Sequence, residues 1–160
     1  MDKYQEGMAI LEEKFGGNKD NVIALATIAI EDGKPVPVVR DVDAYYEDGA
    51  FYVITWAESS KMQQIAQNNQ VAIAPCFGWF TANGIGENLG WVLDPKNAEI
   101  RTKLRSAFEK WYDSANNEND KNCCYLAIRL TKGLININHH EKLYHMDFVN
   151  KTATMEGRAE

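Results

Sequence analysis

Residues 22–56 hold three apolar stretches separated by tight-turn chemistry, and this pattern restricts the fold more than any other feature of the chain. Residues 22–30 (VIALATIAI) are almost continuously apolar, as expected of a strand buried on both faces. Asp32-Gly33-Lys34-Pro35 supplies a turn, and 36–42 (VPVVRDV) resumes an extended pattern. Glu47-Asp48-Gly49 supplies another before 50–56 (AFYVITW), rich in aromatic and β-branched residues. Connections this short join antiparallel strands only, because a parallel pair needs a crossover of about a dozen residues or more. The segment reads as an antiparallel meander.

The flanking sequence adds helices and further strands. Tyr4, Met8, Leu11 and Phe15 recur at helical spacing over about 3–15, and Gly16-Gly17 ends the run. Ser59 is placed to cap a short helix that closes at Asn68-Asn69. Residues 71–80 read as one strand, and Gly84, Gly86 and Gly90 as a bend or turn before Trp91-Val92-Leu93. Asp94-Pro95 opens a helix with Ile100, Leu104, Phe108 and Trp111 on one face. A polar loop over 116–122 leads to strands over 123–138, 143–148 and 152–155, the first broken at Lys132-Gly133. About seven strands with so few helical crossovers exclude a doubly wound sheet. The expected fold is mainly β, a single-domain antiparallel barrel over 1–160 with flanking helices.

Charge and cysteine usage narrow the function classes. Seventeen basic and 23 acidic residues give a net charge of −6, unsuited to broad binding of nucleic acid or anionic lipid. No apolar run approaches the roughly 20 residues of a membrane span, and no apolar segment follows the N-terminus as in a signal peptide. Cys76, Cys123 and Cys124 form no Cys-x-x-Cys pair, which fits reduced thiols and a cytoplasmic setting. Adjacent residues of a strand face opposite ways, so Cys123 and Cys124 read as two small packing residues. The same alternation separates His139 from His140 as metal ligands on a strand, leaving them as surface histidines near a turn.

Chemistry concentrates between Arg40 and Lys61. Arg40 interrupts an apolar strand, where a guanidinium must find a partner. Ser59, Ser60 and Lys61 open the short helix, whose first N–H groups and positive dipole end favour an anion. Two readings stand open on these residue types. Arg40 pairs with Asp41, Asp43 or Glu58 while Ser59 merely caps, or Arg40, Ser59 and Lys61 converge on a phosphate monoester, whose charge of about −1.5 to −2 matches two cations.

The ordered set Arg40-x-Val42, Thr55, Ser59-x-Lys61, Asn68 and Val71, carried by VPVVRDV and FYVITWAESSKMQQIAQNNQVAIA, resembles the flavin-binding split-barrel family typified by pyridoxamine 5′-phosphate oxidase. The resemblance is good over about 20–95 and holds in outline beyond. It implies an FMN-binding split barrel in which Arg40, Ser59 and Lys61, with Ser60 beside them, hold the FMN phosphate. Val39, Arg40, Asp41 and Val42, with Ile54 and Thr55, would face the flavin ring. It also implies a homodimer with FMN at the subunit interface, the partner's 80–83 as a second wall, and an oxidoreductase acting on a small redox substrate. Trp79, Phe80 and Trp91 are the aromatics available for that interface.

The chain departs from the family pattern in three places. Ser60 stands where some relatives carry a second arginine, and Asp43-Ala44-Tyr45 where Leu-Leu-Lys is common. The late Arg-x-His substrate signature is absent: the tail carries Lys142, Lys151 and Arg158 scattered among Glu141, Asp147, Glu156 and Glu160. The expected reaction is therefore flavin redox on an unassigned substrate, not vitamin B6 oxidation. The alternatives are a non-catalytic flavin-binding or stress-response module, or the same fold holding a deazaflavin or haem.

Overall fold

A computed structural model describes residues 1–157, and Arg158 and Glu160 of the expected tail lie outside the described residues. Helix α1 (Lys3–Phe15) opens with a capping box in which Asp2 accepts from the Gln5 backbone and Gln5 answers to the Asp2 backbone. Strands β1 (Asn21–Glu31), β2 (Lys34–Glu47) and β3 (Ala50–Trp56) form the expected meander. Helix α2 (Ser60–Gln67) follows, then β4 (Gln70–Pro75) and β5 (Phe80–Trp91). A 3-10 turn over Pro95–Asn97 leads to α3 (Ala98–Ala107) and α4 (Tyr112–Ala115), and β6 (Cys123–Ile137), β7 (Lys142–Asp147) and β8 (Thr152–Gly157) complete the order.

The strand order β3-β2-β1-β4-β5-β6-β7-β8 closes on itself because β3 also pairs with β6 over Ala50↔Arg129 to Trp56↔Cys123. All pairings are antiparallel. The result is a barrel of β1 to β6, with β7 and β8 continuing from the far half of β6. Its interior holds Ile23, Leu25, Phe51, Val53, Leu126 and Ile128, with Met62 and Ile65 of α2 entering from one end and Leu11 and Phe15 of α1 from α1's side. A second core lies outside the barrel, where Leu104, Phe108 and Tyr112 cover Ile54, Cys123 and Tyr125. The strand β6 serves both: Cys124 faces the barrel core and Cys123 the outer one, so each is buried as a packing residue. Burial pushes both thiols up to about 11, away from reactivity.

Several local expectations change. The strand β1 is buried on one face only: Ile23, Leu25, Thr27 and Ala29 point in, and the half-buried Ala24 and Ala26 point out. Residues 71–80 are two strands, parted by a turn in which Phe77 and Trp79 adopt left-handed φ of 54° and 52°. The glycines of β5 do not turn the chain. Gly84 sits at a register shift where a Cβ would lie 2.8 Å from the Arg129 carbonyl, so the strands approach too closely for any side chain. The helix of Ile100 and Leu104 stops at Ala107, and Trp111 stands in the turn before α4, its indole donating to Asp20 at 2.7 Å. His139 and His140, by contrast, are as expected: both are exposed in the β6–β7 turn, with φ of 53° and 75°. The described residues hold eight strands, one more than read from sequence.

Candidate functional site

β2 and β3 share three paired positions, Tyr45↔Tyr52, Tyr46↔Phe51 and Glu47↔Ala50. That ladder ends at Tyr45↔Tyr52, while β2 runs on along β1 from Ala44 back to Lys34 and β3 runs on along β6 to Trp56. The two strands therefore part, and the backbone groups on the parted edges have no ladder partners. Helix α2 spans the gap. Lys61 donates to Thr55 Oγ1 on β3 at 2.9 Å, and Gln64, a turn further on, accepts from Arg40 Nη2 on β2 at 2.8 Å.

Directly opposed residues of two strands share a face, so Arg40, opposite Leu25, belongs to the inner face near the buried Thr27. Its Nη1 donates to Thr27 Oγ1 at 2.6 Å and to the Leu25 carbonyl at 3.2 Å. All its partners are neutral. Asp41, Asp43 and Glu58 form no ion pair with Arg40, and none of the ion pairs among the described residues involves Arg40 or Lys61. Burial holds the Arg40 guanidinium below its ordinary range. Burial, followed by the charge of Arg40, lowers the Lys61 ammonium as well.

Two like charges are thus kept together, partly out of water, without a carboxylate. Ser59 adds a second irregularity. It occupies the N-cap position of α2, yet its hydroxyl makes no cap hydrogen bond, and Ser59 Oγ is buried with no partner among the described residues. A buried hydroxyl left unpaired costs about 1–3 kcal/mol, which an incoming acceptor would recover. The first turn of α2 contains no acidic residue, so its N–H groups and dipole are likewise uncompensated. The Ala57 amide donates to the Asn122 carbonyl at 2.7 Å and fixes the approach to this turn. Chemically the arrangement fits a compact anion, and a phosphate monoester offers both the charge and the acceptor oxygens.

The remaining sequence-selected residues divide by face. Val39 and Asp41 are exposed on the outer face beside Ala26 and Ala24. Val42 packs inward against the barrel core, and Ser60 is the exposed first residue of α2. Ile54 turns its side chain into the second core, so only its backbone faces the parted edge. Phe80 is not an interface aromatic, because it lies 2% exposed against Phe15 inside the barrel. Trp91 is half-buried on the second core and donates to the Glu118 carbonyl at 2.8 Å. Trp79 remains on the surface, edge-on to His139. Of the 80–83 segment, the exposed Thr81 and Asn83 join Val39, Ala24, Ala26 and Lys132 around an open, mainly apolar groove of about 530 Å³. Lys142 and Lys151 are both exposed.

Thr27 and Gln64 went unselected in the sequence reading. One signal was there: a lone threonine inside VIALATIAI needs a hydrogen-bond partner once buried. That Gln64 is this partner follows from the packing of α2 against β1, which no local pattern announces.

No family profile and no curated protein matches the chain in sequence. Solved structures do resemble it in fold. A pyridoxamine 5′-phosphate oxidase-related, FMN-binding protein from Nostoc punctiforme superposes with a TM-score of 0.62 at 15% identity, covering 100% of this chain and 98% of that one. General stress protein 26 from Bacillus anthracis gives 0.57 at 17% identity over 80% and 92%. A heme binding protein from Mycobacterium smegmatis gives 0.63 at 15% identity, over 89% of this chain and 59% of the other. With its barrel parted between β2 and β3, the chain has the split-barrel fold of the pyridoxamine 5′-phosphate oxidase-related FMN-binding proteins.

Proposed function

We propose that this protein binds FMN and acts as a flavin-dependent oxidoreductase on a small molecule, as a cytoplasmic homodimer with the flavin at the subunit interface. The observation that carries the reading is that Lys61 lies within the field of Arg40 with no acid paired to either, while Ser59, two residues before Lys61, keeps a buried and unpartnered hydroxyl. These residues, with Ser60 and the first N–H groups of α2, would hold the phosphate. The parted edge of β2 over 39–42, with the Ile54 backbone and Thr55, would offer hydrogen bonds to the ring. When bound, the flavin supplies hydride and electron transfer, and the chain supplies orientation and charge. The groove beside Val39 gives a second protomer an apolar surface to cover.

The neighbour that binds heme keeps a second reading in view, and His145 on the rim of the groove is the residue it would call on. The two cations without an acidic partner and the unpartnered Ser59 hydroxyl support flavin over haem. The absorption spectrum of protein reconstituted with each compound separates them: flavin bands that stay with the protein through gel filtration are expected, and retention of haem with loss of flavin would overturn the proposal. Bleaching of the flavin bands by a nicotinamide cofactor distinguishes an oxidoreductase from a flavin-binding or stress-response module.

A further inference from the structure

We propose that Gln64 is a positioning residue for the Arg40 guanidinium, and that its neutrality determines how strongly the site holds a phosphate. This rests on the phosphate reading of the site given above. Gln64 Oε1 accepts from Arg40 Nη2 at 2.8 Å and from Thr27 Oγ1 at 2.5 Å, while Thr27 Oγ1 accepts from Arg40 Nη1 at 2.6 Å. The three side chains close a ring with one consistent proton arrangement. Arg40 gives two protons, the threonine hydroxyl takes one and passes its own to the amide oxygen, and the amide oxygen takes two.

Thr27 is 1% exposed, which anchors the ring to the barrel interior. The guanidinium is therefore fixed from two sides by α2 and β1, and its planar fork cannot turn without breaking both contacts. A carboxylate at position 64 would hold the same geometry more strongly, yet it would spend the positive charge inside the protein. An amide fixes the cation and leaves its charge for a ligand. Burial without an acidic partner is the counterpart of that choice.

The test compares Gln64→Glu and Gln64→Met with wild type. FMN and riboflavin are titrated by quenching of flavin fluorescence, inorganic phosphate by phosphorus NMR, and the melting temperature is taken without ligand. In Gln64→Glu we expect the FMN and phosphate dissociation constants to rise about tenfold or more, riboflavin binding to stay unchanged, and the melting temperature to match or exceed wild type. A merely structural glutamine would let the glutamate variant keep its affinity along with its stability. FMN and phosphate affinities within about twofold of wild type in Gln64→Glu overturn the proposal. Should that variant melt lower, Gln64→Met decides, and unchanged affinity there overturns it equally. Wild-type protein that binds phosphate but not FMN ends the flavin reading and leaves Gln64 to be judged on phosphate. Wild type that binds neither overturns both.

Discussion

The Lys61 ammonium donates to Thr55 Oγ1 at 2.9 Å, and burial, followed by the nearby Arg40 guanidinium, depresses its proton affinity. A hydroxyl partner orients the lysine without neutralising it, so the two cations repel until an anion arrives. Because the folded-state pKa of Lys61 lies below its ordinary 10.5, the charged lysine opposes folding at neutral pH, and the opposition is relieved as pH rises through the folded value. Lys61→Met keeps the apolar stem and removes the charge. We expect it to raise the melting temperature in phosphate-free buffer and to reduce the stabilisation that wild type gains from added phosphate or FMN. A variant that melts lower than wild type without ligand and gains equally from phosphate would contradict this.

Asp43 titrates in a different range. Burial, then the hydrogen bond and charge of Asp20, push its carboxyl up to about 6 from an ordinary 3.8, while Asp20 also accepts from Trp111. A raised carboxyl pKa means the folded state binds the proton more tightly. The resulting stability is complete below about pH 4 and is lost as pH climbs through 6. Asp43→Asn removes this dependence. With solvent screening discounted from the nearly 3 kcal/mol that the shift would mean for a dry group, the variant should gain about 1 kcal/mol at pH 7–8. Urea unfolding at pH 4.5 and 7.5 checks it, and a variant with the same pH slope as wild type would exclude the Asp43–Asp20 pair as the source.

The meander, α1, α2 and the antiparallel barrel were legible because turns and periodicity are local. What resisted reading depends on neighbours distant in sequence. Residues 22–30 look doubly buried because Ala24 and Ala26 are apolar, and only the sheet shows that they floor an open groove. Phe80 looks like surface aromatic chemistry until α1 brings Phe15 against it. Arg40 and Lys61 stand out by type, and strand alternation alone parts Arg40 from Asp41, but which of the two turns inward depends on the register of β2 against β1, and the neutral partners Thr27 and Gln64 come from other elements.

The groove carries the dimer prediction. Ala72 lines its floor, and a charge there cannot be buried against a second protomer without a heavy desolvation cost. We expect wild type with FMN to scatter light as a particle of twice the 18.1 kDa chain mass, and Ala72→Glu to scatter as a single chain with weakened FMN binding. A wild-type monomer at micromolar concentration with FMN bound would refute the shared site, as would an unchanged dimer in the variant.

The most direct measurement is calorimetric titration of FMN and of riboflavin into wild type and Lys61→Ala. With the phosphate held by Arg40, Ser59 and Lys61, wild type should prefer FMN to riboflavin strongly, and the variant should lose about 1.5–3 kcal/mol of FMN binding, the scale of a charged hydrogen bond, while its riboflavin affinity stays the same. Equal affinity for FMN and riboflavin in wild type, or equal losses for both in the variant, would contradict a phosphate at this site.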